Sequence, residues 1–402
     1  MARAMKDSGM AWIGEIPEKW RILQLKRFAS VNNGREIEEE IDKSDDAIPV
    51  YGSGGVFKYT NKTLYNGETV MFGRKGTLGK PIYANNGLWT VDTMYYLTFS
   101  KELLPRFNYY QLLAFDWEPH ITQTALPSIV GSEIAACRFA FPTIEEQKNI
   151  VTILDSECAR IDAVIEQTRA SIEEYKKLKQ AVITQAVTKG IRPNRPMKDS
   201  GIDWIAQIPK EWDVLRGKWL FHETDERSED GQEELLTVSH ITGVTPRSQK
   251  NVNMFMSESL IGYKICRVND IAANTMWMWQ GAIGVSEYHG VISPSYNTYR
   301  QTNNQYNPDY LDYLLRIRPL IDTYNANSTG ITASRLRLYP DRFLSILFPI
   351  PPMDEQIEIA AYLNEKTGEI EKLIEKKEQY LSELENYKKS LIYEYVTGKK
   401  QL

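Results

Sequence analysis

The chain has 402 residues, a formal net charge of −5, and 42% apolar and 25% charged residues. This length exceeds what one compact core accommodates and suits two or three domains. No apolar run approaches the roughly 20 residues that cross a membrane, and the N-terminus does not have the pattern of a signal peptide. Cys137, Cys158 and Cys266 lack metal-type spacing, and so sparse a set favours a reducing cytosol. The negative charge does not favour nucleic-acid binding, because phosphate-binding domains are usually basic.

An internal repeat organises the chain. Residues 5–20 recur at residues 197–212, with two tryptophans and a proline at matched spacing. Residues 142–147 are echoed by residues 351–356, and the positions that follow align at one constant offset. The sequence therefore predicts two copies of one plan, each a globular module followed by a long helix.

The two segments after these echoes predict long helices. Their apolar residues recur at steps of three and four, which forms a heptad seam over several heptads. Gly190 and Gly398 stand where C-terminal caps are expected. The pattern predicts two helices of about 45 residues, each roughly 65–70 Å long. Matching seams within one chain favour an antiparallel intramolecular pair, and a plain dimerisation coiled coil is the alternative.

The two modules extend from about Trp20 to Phe141 and from about Trp212 to Phe348. Short runs rich in Val, Thr, Tyr and Ile predict strands, and the prolines at 105 and 308 predict one amphipathic helix in each module. Acidic runs at 36–42 and 223–230 are predicted to be solvated loops. Both modules are thus predicted to be α+β. The predicted strands lie at 48–51, 69–72, 94–99, 235–238, 284–286 and 296–299.

The first module contains a basic stretch directly after a predicted strand. Arg74, Lys75 and Lys80 alternate with glycines such as Gly76, and Thr77 lies between them. Glycines let a backbone approach phosphates, and Arg or Lys can contact phosphates or guanine edges. The glycine spacing and the proline after the last lysine exclude a P-loop. The stretch is a candidate DNA contact, and an exposed basic hairpin without function is an equally weighted alternative.

The second module carries an uncharged stretch at the matching place. Asn and Gln can contact adenine bidentately, and aromatic side chains can insert as wedges or pack against thymine methyls. Most tryptophans are core residues, which favours a structural role. The candidate DNA contacts of this module are Asn274, Trp277, Trp279, Gln280, Ser239, His240, Arg335 and Arg337.

The sequence offers little that suggests catalysis. Its four histidines have no metal-type spacing, and there is no Gly-x-Ser-x-Gly nucleophile turn. A duplicated scaffold without a reactive cluster favours a binding protein over an enzyme.

Together these motifs resemble one known family. Over essentially its whole length, the chain is similar to the specificity (S) subunit of type I restriction-modification enzymes. Three features carry the resemblance. They are the duplicated opening segment, the Phe-Gly-Arg-Lys-Gly stretch at 72–76 with its counterparts at 273–277 and 293–296, and the Glu-Gln segments before the helices.

The resemblance implies a particular architecture. The expected fold is α+β, with two globular α/β target recognition domains separated by two long antiparallel coiled-coil helices in a pseudo-twofold internal repeat. The expected segments are a repeat segment at 1–20, recognition domain 1 at 21–141, a central conserved helix and linker at 142–196, a second repeat segment at 197–212, recognition domain 2 at 213–348 and a C-terminal conserved helix at 349–402.

The resemblance also implies a function. Each recognition domain would contact one half of a bipartite, asymmetric site on double-stranded DNA. The helices would set the spacer and dock two methyltransferase (M) subunits and, through them, restriction (R) subunits, with Gln147 and Gln356 as docking contacts. The chain would be non-catalytic, bind no cofactor and act in the cytoplasm of a bacterium or archaeon without a membrane. S-adenosylmethionine, ATP and Mg²⁺ would belong to the partner subunits. A coiled-coil adaptor with two protein-binding modules is the alternative.

Overall fold

The computed structural model describes residues 3–250, 259–330 and 336–401. The chain divides into two compact units. Unit 1 comprises residues 1–170 and 378–402, and unit 2 comprises residues 171–377. This division cuts across the segments expected from the sequence, because each long helix contributes residues to both units.

Unit 1 begins with a β-hairpin in the first repeat segment and continues into the first module. Its described strands are β1 (Met5–Asp7), β2 (Glu15–Pro17), β3 (Arg21–Gln24), β4 (Ala29–Asn33), β5 (Ile48–Gly52), β6 (Gly55–Thr60), β7 (Thr69–Gly73), β8 (Ile82–Ala84), β9 (Trp89–Thr90), β10 (Met94–Phe99), β11 (Ile121–Thr122), β12 (Ser128–Ile129) and β13 (Arg138–Phe141). Its helices are α1 (Pro105–Ala114), α2 (Gly131–Ala136), the first part of α3 (Ile144–Lys189) and the last part of α8 (Met353–Val396).

The central sheet of unit 1 has the strand order β4-β10-β7-β8, and every pair in it is antiparallel. All five residues of β7 are buried, which agrees with its apolar sequence. A smaller sheet, β6-β5-β9, lies elsewhere in the module. The predicted strands at 48–51, 69–72 and 94–99 are confirmed.

Unit 2 repeats this plan. Its described strands are β14 (Met197–Ile202), β15 (Ile205–Pro209), β16 (Asp213–Arg216), β17 (Phe221–Thr224), β18 (Leu236–Ser239), β19 (Gly243–Pro246), β20 (Lys264–Cys266), β21 (Ile271–Ala273), β22 (Ile283–Val285), β23 (Gly290–Ile292), β24 (Asn297–Gln301) and β25 (Leu347–Ile350). Its helices are α4 (Gly217–Leu220), α5 (Pro308–Leu315), α6 (Arg318–Asn327), α7 (Pro340–Ser345), the last part of α3 and the first part of α8.

The central sheet of unit 2 has the order β17-β24-β21-β22, again antiparallel throughout. Strand by strand, β21 therefore occupies the place that β7 occupies in unit 1. The acidic run at 223–230 is not wholly a loop, because its first residues belong to β17. There Thr224 is buried, and its hydroxyl donates to the hydroxyl of Thr298 at 2.8 Å.

Each module is closed by one strand pair at its two ends. In unit 1, β3 pairs with β13, so that Arg21 lies opposite Phe141. In unit 2, β16 pairs with β25, so that Asp213 lies opposite Ile350. The chain thus enters and leaves each module through adjacent strands.

The two predicted long helices are present as α3 and α8, and glycines with positive φ follow both. Gly190 has φ +74° and Gly398 has φ +71°, the left-handed conformation expected of a glycine cap. In unit 1, Asp162 pairs with Lys388 at 2.6 Å and Arg169 pairs with Glu385 at 3.0 Å. Within unit 1, the ion pairs between α3 and α8 therefore follow an antiparallel order.

The same relation between α3 and α8 holds inside unit 2. Lys179 pairs with Glu371, and the Lys377 ammonium lies 5.6 Å from the ring of Tyr175. One hydrophobic core in each unit joins the module to the helices. In unit 1 it includes Leu154 on α3 and Leu391 on α8.

Candidate nucleic-acid interface

The basic loop of unit 1, residues 74–80, follows the buried strand β7. Its backbone is fixed at the start, because Arg74 donates its amide to the carbonyl of Thr93 at 2.8 Å and accepts from Ile129 at 3.0 Å. Gly76 has φ +83°, a conformation that side-chain-bearing residues rarely adopt. Backbone contacts thus fix the start of the loop, and its three basic side chains are exposed while Leu78 packs against the hydrophobic core.

The cations of this loop are exposed and unpaired. Arg74, Lys75 and Lys80 are all exposed, and none has an acidic partner among the residues that the structure describes. Arg106 in the same unit is by contrast paired with Asp155 at 2.8 Å. Unpaired cations beside glycines suit contact with phosphates.

Sequence reasoning missed a second element beside the basic loop. Strands β11 and β12 form a short hairpin, and Lys75 bridges to Ser128 on it. The Thr122 and Ser128 hydroxyls lie 2.9 Å apart and stabilise its base. Residues 123–127 at its tip, Gln-Thr-Ala-Leu-Pro, are all exposed. Two-residue strands give no periodic pattern, so nothing in the sequence marks this hairpin.

In unit 2 the loop after β21, residues 274–281, takes the place of the basic loop. Asn274 is buried, and its amide donates to the hydroxyl of Tyr296 at 2.8 Å and accepts from the backbone of Met276. These bonds use its donor and acceptor inside the module. Asn274 therefore positions the loop, and its role as a base contact stays a prediction.

The tryptophans of the same loop form a stacked pair. The ring centroids of Trp277 and Trp279 lie 6.3 Å apart with planes 13° from parallel. The indole of Trp279 donates to the carbonyl of Met276 at 2.9 Å, while Trp277 remains 47% exposed. Gln280 is half-buried next to them. The loop therefore presents a flat apolar surface without charge.

The other predicted contacts of unit 2 are more scattered. Ser239 ends β18, and its hydroxyl accepts from the backbone of Ile241, while His240 is exposed in the turn to β19. Arg337 is exposed, and its backbone pairs with Thr329. Arg335 lies outside the described residues. Their roles as DNA contacts stay predictions.

Gln147 and Gln356 are fully buried at the starts of α3 and α8. Gln147 accepts from the backbone of Leu104 at 2.9 Å and donates to two carbonyls, and Gln356 accepts from Asn307 at 2.8 Å and donates to two carbonyls. Each side chain therefore ties a helix to its own module. This corrects their predicted role as docking contacts, since no surface of either amide is left for a partner.

The glutamate before each of these glutamines anchors the repeat segment. In unit 1 the Trp20 indole donates to Glu146 at 3.1 Å, and Arg3 pairs with the same carboxylate at 2.6 Å.

In unit 2 the Trp212 indole donates to Glu355 at 3.0 Å, and Arg195 donates to the same oxygen at 3.0 Å. The duplicated segment therefore serves to fasten the first turn of each long helix. In the sequence, Arg3 precedes Trp20 by the same spacing as Arg195 precedes Trp212, and this repeated spacing was the available signal for these contacts.

The described residues contain no group of three or more His, Cys, Asp and Glu side chains that could hold a metal ion. Among the helices described, none is long and apolar enough to span a membrane. Burial raises the pKa of Cys137 to about 11 and that of Cys266 to about 12. These thiols therefore stay protonated at neutral pH and are poor nucleophiles.

Comparisons with known proteins agree with this geometry. Residues 17–174 match the family model described as type I restriction modification DNA specificity domain. The putative type I restriction enzyme MjaX specificity subunit of Methanocaldococcus jannaschii is 23% identical over 445 residues, with 96% of this chain and 95% of the relative covered. The type I restriction enzyme MjaVIII specificity subunit of the same organism is 22% identical over 423 residues, with 96% and 93% covered.

The chain is similar to type I restriction-modification specificity proteins, through the family model over residues 17–174 and through two relatives that cover 96% of its length. Solved structures show the same fold. A chain from a study titled "Structural basis underlying complex assembly and conformational transition of the type I R-M system" has a TM-score of 0.68 at 14% identity, with 96% of this chain and 99% of that chain covered. The HsdS subunit from Thermoanaerobacter tengcongensis has a TM-score of 0.50 at 13% identity, with 96% and 98% covered. The mixed α+β content of this chain agrees with both.

Proposed function

We propose that this chain is a specificity subunit that recognises a bipartite, asymmetric DNA site without catalysing a reaction. Each module would bind one half-site. The observation that carries the proposal is the pair of equivalent sheets, β4-β10-β7-β8 and β17-β24-β21-β22, with different loops after the same strand. Equivalent frames with unlike loops suit the reading of two unlike half-sites.

The two loops suggest two modes of contact. The exposed cations Arg74, Lys75 and Lys80 would contact phosphates or guanine edges. Trp277 would pack against bases or enter a groove as an apolar wedge, with Trp279 stacked behind it. The half-site of unit 1 would thus be held mainly by charge and that of unit 2 mainly by apolar contact.

We further propose that α3 and α8 form an antiparallel coiled coil within a pseudo-twofold repeat and that they set the spacer. Their seam residues, such as Leu154 and Leu363, are fully buried, and their ion pairs follow an antiparallel order within each unit. Adding four residues to each helix would lengthen the pair by about 6 Å and about one turn. The methylated site should then gain roughly two base pairs between its halves. An unaltered spacer would contradict this role.

The proposed partners are double-stranded DNA, two M subunits and, through them, R subunits, in the cytoplasm of a bacterium or archaeon. S-adenosylmethionine, ATP and Mg²⁺ would be bound by those partners and not by this chain. M subunits that help to clamp the duplex would supply phosphate contacts that a chain of net charge −5 lacks.

A mobility-shift assay tests the central proposal. The full chain, co-expressed with its M subunit, should retard genomic DNA fragments that share one bipartite motif. Long-read methylation mapping of the host genome should give the same motif. Failure to shift any fragment, with the complex intact, would instead favour the protein-binding adaptor.

A further inference from the structure

The two units fasten their first module helix to a long helix at corresponding places. In unit 1 the hydroxyl of Tyr110 on α1 donates to Asp155 on α3 at 2.6 Å. In unit 2 the hydroxyl of Tyr313 on α5 donates to Asn364 on α8 at 2.8 Å. Both tyrosines stand at the same distance from the proline that begins their helix. The surroundings of these two contacts can therefore be compared residue by residue.

In unit 1 the place beside this contact is filled by an arginine. The Arg106 guanidinium carbon lies 4.6 Å from the ring centroid of Tyr83, 5.1 Å from that of Tyr109 and 5.3 Å from that of Tyr110. Its Nε pairs with Asp155 at 2.8 Å. A guanidinium stacked on aromatic rings and paired with a carboxylate is a stable arrangement.

In unit 2 the corresponding residues leave this place open. Asp309 stands where Arg106 stands, Asp312 stands where Tyr109 stands, and Gly284, the middle residue of β22, stands where Tyr83 stands in β8. The result is a cleft of 710 Å³ whose wall includes Tyr313 and Gly368. A Cβ added at Gly368 would meet no atom within 4 Å. Such a volume is in the range of ligand-binding pockets.

The charges that line the cleft favour a cation. Four carboxylates belong to the described residues that line the cleft. Of these, Glu371 is paired with Lys179 and Asp312 is paired with Arg316. Asp309 and Glu287 are exposed at the cleft and have no ion-pair partner among the residues that the structure describes.

Among the described residues that line the cleft, one is an arginine. Arg316 donates to the carbonyl of Ile241 at 2.6 Å, and the 710 Å³ remain open beside it. The open part of the cleft thus combines unpaired carboxylates with the rings of Tyr313 and Tyr288.

We propose that the unit 2 cleft binds an arginine side chain supplied by a partner polypeptide. The ligand class comes from the chain itself, because the equivalent place in unit 1 holds Arg106. The volume admits an arginine together with residues that flank it. The proposal does not rest on DNA recognition. Failure of arginine binding would leave the DNA proposal intact, and failure of DNA binding would leave this one intact.

The probe is the peptide acetyl-Gly-Arg-Gly-amide, titrated calorimetrically into the full chain at low salt. A matched peptide carries citrulline, which keeps the shape of arginine but has no charge. The arginine peptide should bind. The citrulline peptide should bind with an affinity lower by roughly tenfold or more, because charge-assisted hydrogen bonds are stronger than neutral ones. Equal heats from the two peptides, or no heat from the arginine peptide, would overturn the proposal.

Two variants localise the binding. Gly368→Phe fills the cleft and Asp309→Arg supplies the missing cation in cis, so both should abolish binding. The first replaces a glycine inside a helix and should not impair folding, which a thermal melt verifies. Ala159→Phe adds the same ring at the corresponding exposed position of α3 in unit 1 and should leave binding unchanged. Binding that persists in Gly368→Phe would mean that the peptide adheres to the acidic surface elsewhere, and the proposal would be wrong.

Discussion

The loop after the third strand of the central sheet differs in chemistry between the two units. In unit 1 it presents Arg74 and Lys75 as exposed, unpaired cations, whereas in unit 2 it presents the stacked rings of Trp277 and Trp279. The strands that carry the two loops have the same order and the same antiparallel pairing. The difference teaches that the frame of this protein tolerates opposite loop chemistries, because strand pairing and not the loop holds each sheet together.

The fastening of the long helices differs between the units in burial. Glu355 is fully buried, and its partner Arg195 has 11% of its side chain exposed. Glu146 has 18% and Arg3 has 27% of the side chain exposed. Removing Glu355 leaves Arg195 with the exposed Glu211 as its ion-pair partner and leaves the buried Trp212 indole without its acceptor. Removing Glu146 leaves a guanidinium that water reaches more freely.

The largest expected effect comes from removing the glutamate that fastens the start of each long helix. Glu355→Ala should lower the free energy of unfolding by about 3 kcal/mol, because the fully buried carboxylate that accepts from both the Trp212 indole and Arg195 is lost. Glu146→Ala should cost about 1 kcal/mol, since solvent screens the pair. Urea denaturation of the full chain measures both, and the control is Glu365→Ala, at an exposed position of α8 that has no ion-pair partner among the described residues. Equal losses from the two variants would contradict the difference in burial.

The second effect concerns the charged loop. Replacing Arg74 and Lys75 by Ala should weaken binding to all DNA sequences by about 100-fold at 50 mM salt and reduce the salt slope by about 1.8, as expected for two lost phosphate contacts. Mobility shifts over a salt series measure this. The control replaces Lys101 and Arg138, two exposed cations of unit 1 outside the loop. If both double variants lose affinity equally, the loss reflects net charge and not the loop.

A smaller effect is expected in the aromatic loop. Trp277→Ala should weaken binding by about tenfold, because an apolar wedge is lost, while the salt slope stays as in the wild type. Trp277→Phe should keep most of the affinity. A changed salt slope in Trp277→Ala would mean that both loops bind in one way, and the contrast between the units would not hold.

The smallest effect concerns the thiols. Burial and the nearby Glu133 carboxylate raise the pKa of Cys137 in unit 1 to about 11, and burial raises that of Cys266 in unit 2 to about 12. A raised pKa means less thiolate at neutral pH, so alkylation of half-buried Cys137 by iodoacetamide should be slow at pH 8 and rise roughly tenfold per pH unit toward 10. Cys266, fully buried, should stay unmodified. Peptide mass spectrometry reads both rates, and faster labelling of Cys266 would reveal local opening of unit 2.

Most of the frame could be predicted from the sequence. The heptad seam and the absence of proline predicted α3 and α8 close to their observed bounds, because a long amphipathic pattern has few alternatives. The strands β7 and β10 followed from their β-branched and aromatic runs. The hairpin of β11 and β12 could not be predicted, because strands of two residues are too short to show an alternating hydrophobic pattern.

The site was less predictable than the frame. Exposure of Arg74 and Lys75 follows from charge, but the fate of an amide does not follow from its type. Asn274 and Gln147 are as suitable for ligand contact as for internal bonds, and only the fold shows that carbonyls and hydroxyls of the same unit satisfy them. The open cleft beside Gly368 likewise depends on residues from several elements that no local pattern brings together.

The strand pairs that close the modules have a consequence for how such a protein can change. Because β3 lies against β13 and β16 lies against β25, each module is attached to the frame through two neighbouring strand ends. Chain segments with adjacent ends can be excised and replaced with little disturbance to the host fold. A recombination event that crosses at these ends would therefore transplant a whole module as a cassette, in one genetic step.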